Sequence, residues 1–245
     1  MSNNLPITKL VQGSVSEIAL VCGDPERAAK IATQLDAVEA LSKNREYHTY
    51  QGNYNGRTIT VCSHGVGAPG AAIAFEELIA AGAKTILRVG SCGGIQPHVQ
   101  AGHLVIVQAA VQHTGYGREI APAGYPAVAT PEVVVALQQA AAALRHPAFS
   151  GLVLTRDAFY GGVLTGHTPS YEIMAQANVL AVEMECAALF LVGSLRGIRT
   201  GAILAVDGNV LHTQESMDTY APHARVAQQA METAIQTALT AVTML

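Results

Sequence analysis

Apolar runs of strand length alternate with stretches of helical periodicity along most of the 245 residues, and that alternation restricts the chain to helices packed on a largely parallel sheet. Strand patterns fall at Ile18–Cys22, Tyr47–Tyr54, Arg57–Ser63, Thr85–Val89, Leu104–Ala110, Gly151–Thr155, Val179–Glu183 and Thr200–Val206. Helical patterns fall at Pro25–Leu35, Ala71–Ala81, Pro131–Leu144, Ser170–Ala177, Cys186–Arg196 and Pro222–Thr243. Asn55-Gly56 joins two of the strands with the residues a tight hairpin turn needs. The expected fold class is therefore α/β, with a mixed, mainly parallel central sheet flanked by helices. No low-complexity linker or repeat divides the chain, so residues 1–245 are expected to form one domain. Gly115–Pro126 reads as a long loop, and the last helix carries Val226, Ala230, Ala234, Ala238 and Val242 on one apolar face.

Hydrophobic residues make up 50% of the chain and charged residues 13%, about half the roughly 25% charge of an average soluble domain. So little charge implies a homo-oligomer whose subunits cover much of one another's surface. A net charge of −4 with no basic cluster argues against nucleic acid as a partner. No apolar run approaches the roughly 18 residues of a membrane helix, and Met1–Pro6 lacks the features of a signal peptide. A cytoplasmic protein with no membrane association is expected. Cys22, Cys62, Cys92 and Cys186 form no C-x-x-C pair and read as reduced core residues. Cys92 stands apart, because a thiol inside an anion-binding turn can have its pKa lowered, yet packing is expected there ahead of nucleophilic chemistry. The nine histidines show no metal-ligand spacing, so a metal is not expected.

Chemistry concentrates in Lys84-Thr-Ile-Leu-Arg-Val-Gly-Ser-Cys-Gly-Gly94. A strand ending near Arg88 would run into a turn built on Gly90, Gly93 and Gly94, with backbone N–H groups, Ser91 and the Arg88 fork suited to a phosphate or carboxylate. An ordinary glycine turn with a surface arginine fits these residues equally well. Gly23-Asp-Pro-Glu-Arg27 adds a strand, a glycine turn and a helix start, where an anion could rest on the positive helix end beside Arg27. Asn44-Arg-Glu-Tyr47 brings Arg45 to another strand, so three of the ten arginines lie at turns or strand ends.

Val182-Glu-Met-Glu185 ends an apolar strand with Glu183 and Glu185 on one side and Met184 on the other. A carboxylate there accepts two hydroxyl donors, as a sugar diol offers, or else caps the following helix. In Ala202-Ile-Leu-Ala-Val-Asp-Gly208 a lone aspartate leaves an apolar strand for a glycine turn. Partial desolvation would let Asp207 hold a proton as a general acid, and an Asx-turn is the alternative use. Asp157-Ala-Phe-Tyr160 offers Phe159 and Tyr160 as a shelf for a flat base, with core packing of Phe159 the equal alternative.

Six segments in order, Gly23–Arg27, Asn44–Tyr47, Ser63-His-Gly-Val-Gly67, Arg88–Gly93, Val182–Glu185 and Val206–Gly208, resemble the nucleoside phosphorylases of the purine nucleoside and uridine phosphorylase type, and most closely the hexameric purine enzymes. The resemblance implies an oligomer with shared active sites, a hexamer built as a trimer of dimers, and inorganic phosphate as co-substrate with no cofactor. It assigns phosphate to Gly23, Arg27, Arg88 and Ser91, with Arg45 supplied by a neighbouring subunit. It assigns the ribose to Met184 and Glu185, with Glu183 beside them, the sugar and base to Tyr160, and the acid at purine N7 to Asp207. Asn4 stands where relatives carry a histidine that reaches the neighbouring subunit's 5′-hydroxyl. Gly161–His167 lacks the glutamine and arginine pair of uridine enzymes, so a purine is expected as the base. The alternatives are a uridine phosphorylase, a nucleoside hydrolase needing no phosphate, and a non-catalytic nucleoside-binding or storage protein.

Overall fold

The computed structural model describes residues 4–211 and 224–245. Its elements in chain order are β1 (Ile18–Cys22), α1 (Pro25–Ala32), β2 (Asp36–Asn44), β3 (Tyr47–Tyr54), β4 (Arg57–Ser63), α2 (Ala68–Ala81), β5 (Thr85–Gly94) and β6 (Leu104–His113). There follow α3 (Gly115–Ile120), β7 (Ala127–Val128), α4 (Pro131–Ala143), β8 (Ala148–Arg156), α5 (Tyr171–Gln176), β9 (Val179–Glu183), α6 (Cys186–Arg196), β10 (Arg199–Asn209) and α7 (Arg225–Val242). The expected start of the last helix at Pro222 lies outside the described residues.

One mixed sheet runs through the molecule. β5 pairs in parallel with β1 and β10, and antiparallel with β9. β10 pairs antiparallel with β6, and β6, β8 and β9 run parallel to one another. The five strands β5, β10, β6, β8 and β9 thus close into a ring, from which β1, β4, β3 and β2 extend as an arm. In this ring the carboxyl ends of β8 and β9 come toward those of β5 and β10 from the opposite direction, and the cavity described below forms where they meet.

The core follows from the apolar runs. Ile18–Cys22 is buried at every position, as a strand covered on both faces must be. α6 is buried from Cys186 to Gly193, which its uniform Ala-Leu-Phe-Val content permits. Along α7, Ala230, Ala234, Ala238 and Val242 are buried as expected, whereas Val226 in the first turn is 45% exposed. Gly115–Pro126 is not wholly a loop, because Thr114 accepts a hydrogen bond from Gly117 N and starts the short helix α3. No helix among the described residues is long and apolar enough to cross a membrane.

Candidate active site

A cavity of about 1020 Å³ opens where β1, β5, β8, β9 and β10 end. At its first wall, β1 gives way to Gly23, and the Asp24 side chain accepts from Glu26 N at 2.9 Å to start α1 with Pro25 in the first turn. Backbone bonds from His64 N to Cys22 O and from Gly65 N to Gly23 O hold the ends of β1 and β4 together. A Cβ at Gly23 would lie 3.1 Å from Gly65 O, so a side chain there would push this backbone contact apart by a few tenths of an ångström. Gly23, Arg27, Glu46 and Gly65 all line the cavity.

The centre is Arg88. β5 does not stop at Val89, as its sequence implies, but continues through Gly94, because β10 pairs with it along its whole length. Gly90, Gly93 and Gly94 are consequently ladder residues rather than a turn of inward N–H groups. Their lack of a side chain serves close packing instead. An added Cβ would lie 2.6 Å from the Arg88 guanidinium at Gly90, and 2.1 Å from Val99 O at Gly94.

Arg88 Nη2 donates to Glu185 Oε2 at 2.5 Å and, more weakly, to Glu183 Oε2 at 3.4 Å. Its Nη1 lies 3.4 Å from His64 Nε2. The other ring nitrogen, Nδ1, sits 2.9 Å from Gly65 O, which only accepts, so Nδ1 carries the proton and Nε2 accepts from Arg88. Burial, reinforced by the Arg88 charge, holds His64 well below the ordinary histidine pKa, and the ring is neutral. Burial, the largest single influence, would lower the Arg88 pKa, but Glu185 together with Cys186 and Glu183 more than offsets it, and the guanidinium stays charged. Arg88 Nε is buried and meets no acceptor among the described residues.

The two carboxylates divide the roles that their spacing left open. Glu183 accepts from Glu185 N at 2.8 Å and Cys186 N at 2.9 Å, capping α6, and Thr155 Oγ1 also donates to it. With Arg88 as a fourth donor, Glu183 Oε2 takes three bonds and Oε1 one, so the carboxylate is tied up by the start of α6 and its neighbours. Glu185 accepts one bond on each oxygen, from Gly67 N at 2.7 Å and from Arg88, and keeps room for more. Burial pushes its pKa up, Arg88 draws it down, and Glu183 pushes it up again, with a net rise.

Asp207 does not stand in a turn. β10 runs on to Asn209, and its pairing with β5 skips from Val206 opposite Cys92 to Gly208 opposite Gly93. Asp207 is the extra residue of this bulge, a device that re-aims a side chain. Beside it, the Cys92 pKa is raised well above the ordinary value, by burial first and by the Asp207 charge next. Cys92 is thus a desolvated residue of the β5–β10 ladder, as core packing implies, and its thiol is not lowered as one inside an anion-binding turn would be. Burial likewise pushes the Cys22 and Cys62 thiols up to about 12, and all four cysteines are free and buried.

Phe159 and Tyr160 stand edge to face with centroids 5.1 Å apart and are exposed at the cavity mouth. The cavity therefore gathers Gly23, Arg27, Arg88, Ser91, Tyr160, Glu183, Met184, Glu185 and Asp207. Arg45 and Asn4 are not among its lining residues. Arg45 is exposed on the β2–β3 turn, in a left-handed conformation with φ 53°, and Asn4 is exposed in a bridge with Val11. Sequence reasoning missed His64, Arg156 and Tyr171. Arg156 directly follows a recognised strand and precedes the aromatic pair, and that position was the one signal available for it. Among the described residues no group of three or more His, Cys, Asp or Glu side chains is arranged to hold a metal ion.

The sequence model of the phosphorylase superfamily matches residues 17–243. A guanosine phosphorylase of Halorubrum lacusprofundi is 37% identical over 236 residues, 96% of each chain. A uridine phosphorylase of Thermococcus kodakarensis is 41% identical over 206 residues, 80% of this chain and 74% of that protein. The crystal structure of a purine nucleoside phosphorylase from Toxoplasma gondii in complex with immucillin-H superimposes with a TM-score of 0.91 at 36% identity, covering 98% of this chain and 95% of that one. The match covers both the ring of strands and the arm, so the chain belongs to the phosphorylase superfamily and has its nucleoside phosphorylase fold.

Proposed function

We propose that the protein is a purine nucleoside phosphorylase, which converts inosine or guanosine, or their deoxy counterparts, and phosphate to the base and (deoxy)ribose 1-phosphate. The observation that carries this reading is the meeting in one cavity of Arg27, Arg88 and Ser91 with Glu185, Met184, Asp207 and Tyr160. Arg27, Arg88, Ser91 and the start of α1 at Gly23 supply donors and positive charge for a phosphate dianion. Glu185 accepts from the ribose hydroxyls while Met184 packs on the sugar, which reduces the orientational freedom the reaction must otherwise remove.

A phosphate oxygen forms its bond to C1′ as the bond from C1′ to the base nitrogen breaks, through a transition state with positive charge on the sugar. The departing electron pair goes to the base, and Asp207 delivers a proton to purine N7. General acid help of this kind contributes about 10²–10⁴-fold. Arg45 and Asn4, exposed away from the cavity, are read as reaching the site of a neighbouring subunit in a homo-oligomer, here taken to be a hexamer. No cofactor is needed for this chemistry.

A purine is favoured by Asp207 and by the missing glutamine and arginine pair in Gly161–His167. Uridine is the second reading, because a cavity arginine, Arg156, is nonetheless present and a uridine phosphorylase is among the relatives. Inosine and uridine assayed side by side, with and without phosphate, separate the readings. Faster phosphate-dependent turnover of inosine supports the purine assignment, and faster turnover of uridine overturns it.

A further inference from the structure

Arg156 ends β8 on the cavity wall and belongs to neither the phosphate nor the ribose cluster. Its neighbour Thr155 turns the other way, to Glu183 and the start of α6. The alternation of a strand therefore sends Arg156 toward α5, where Nη1 donates to the Tyr171 hydroxyl at 2.6 Å. The guanidinium carbon lies 5.6 Å from the centroid of the same ring. Tyr171 thus fixes the plane of the guanidinium and engages one of its nitrogens. The opposite edge, Nε with Nη2, has no acceptor: Nε is buried without a partner, and Nη2 makes no hydrogen bond among the described residues. That edge is the one that presents two parallel donors to a planar acceptor.

We propose that Arg156, held by Tyr171, is the residue that selects nucleobases carrying a ring carbonyl over those carrying an exocyclic amine at the same place. The assignment rests on the phosphorylase reading of this cavity and concerns its base end, since Arg156 shares that wall with Phe159, Tyr160 and Tyr171. A guanidinium donates and never accepts. The carbonyl of hypoxanthine, guanine or uracil completes the open edge. The amine of adenine or cytosine sets donor against donor and leaves the buried Nε unpaired. A mismatch of that kind discriminates far more strongly than pocket shape does. Arg156 touches the base and not the bond that breaks, so it acts on specificity.

Two measurements test the assignment. The first is the ratio of kcat/KM for inosine to that for adenosine, in the wild type and in Arg156→Gln. Glutamine both donates and accepts, and so serves an amine as readily as a carbonyl. A wild-type ratio of about 100 or more, falling by about tenfold or more in the variant, is expected. The second is the calorimetric affinity of the wild type for hypoxanthine and for adenine, with hypoxanthine expected to bind more tightly. A ratio unchanged by the substitution overturns the assignment, because a merely structural role would slow both nucleosides alike. Adenine bound as tightly as hypoxanthine overturns it as well, and that result does not depend on the variant folding. Absence of phosphate-dependent cleavage of any nucleoside would overturn the phosphorylase reading, and base affinities would still judge Arg156.

Discussion

Arg88 and Glu185 meet at 2.5 Å with side chains 4% and 6% exposed, and Glu183 lies 3.4 Å from the same nitrogen, so one buried cation serves two buried carboxylates. Removing one partner from such a cluster leaves charge uncompensated in a poorly solvated place. Arg88→Met is accordingly expected to destabilise the protein by about 3–5 kcal/mol in urea unfolding. A loss below about 1 kcal/mol, the range of an exposed pair, would show that the cluster is well solvated in solution.

Gly90 is the floor on which the Arg88 guanidinium rests, 2.6 Å from where a Cβ would stand. Gly90→Ala should push the guanidinium off its carboxylates and raise the phosphate concentration for half-saturation by about tenfold or more, as losing a charge-assisted bond does. Gly166→Ala, where a Cβ meets nothing within 4 Å, should leave it unchanged. Equal phosphate kinetics in the two variants would remove Gly90 from this role.

His64 is buried neutral, its pKa depressed by desolvation and by Arg88. The unfolded chain takes up a proton near pH 6.5 and the folded one does not, so the stability that His64 contributes is present above about pH 6.5 and is lost as pH falls toward its depressed folded value. The loss approaches about 1.4 kcal/mol per pH unit for one proton. Urea midpoints of wild type and His64→Gln between pH 7 and pH 5 should diverge, with the wild type falling faster. Parallel curves would mean that His64 charges in the native state.

Much of this architecture is legible in the residues, and the exceptions have identifiable causes. The strands Ile18–Cys22, Tyr47–Tyr54, Arg57–Ser63 and Val179–Glu183 and the helix Cys186–Arg196 have the bounds that periodicity and turn residues imply. Asp36–Asn44 escaped notice because it is an edge strand, exposed along most of its length and held by backbone pairing with β3, so it needs no apolar alternation. The glycines after Arg88 resemble a turn, yet tertiary pairing with β10 keeps them extended. The division between Glu183 and Glu185 depends on Thr155 and Gly67, which are distant in the chain. Arg156 is marked only by its place after a recognised strand, Tyr171 carries no local mark of the cavity, and His64 shows its role only through its contacts with Gly65 and Arg88.

Asp207 owes its aim to the bulge between Val206 and Gly208. Asp207→Asn keeps its size and is expected to lower kcat for inosine by about 10²–10⁴-fold while leaving phosphate half-saturation near the wild-type value. Unchanged turnover would remove the proton transfer from the mechanism. A matching loss of phosphate affinity would move Asp207 to the phosphate end of the cavity.

The account as a whole turns on phosphate, rather than water, taking the sugar. The direct measurement is phosphorus NMR of the protein with inosine and inorganic phosphate, alongside hypoxanthine release in phosphate-free buffer. Ribose 1-phosphate formed in step with hypoxanthine, and no release without phosphate, is the predicted result. Hypoxanthine released at the same rate without phosphate, with free ribose as the other product, would contradict it.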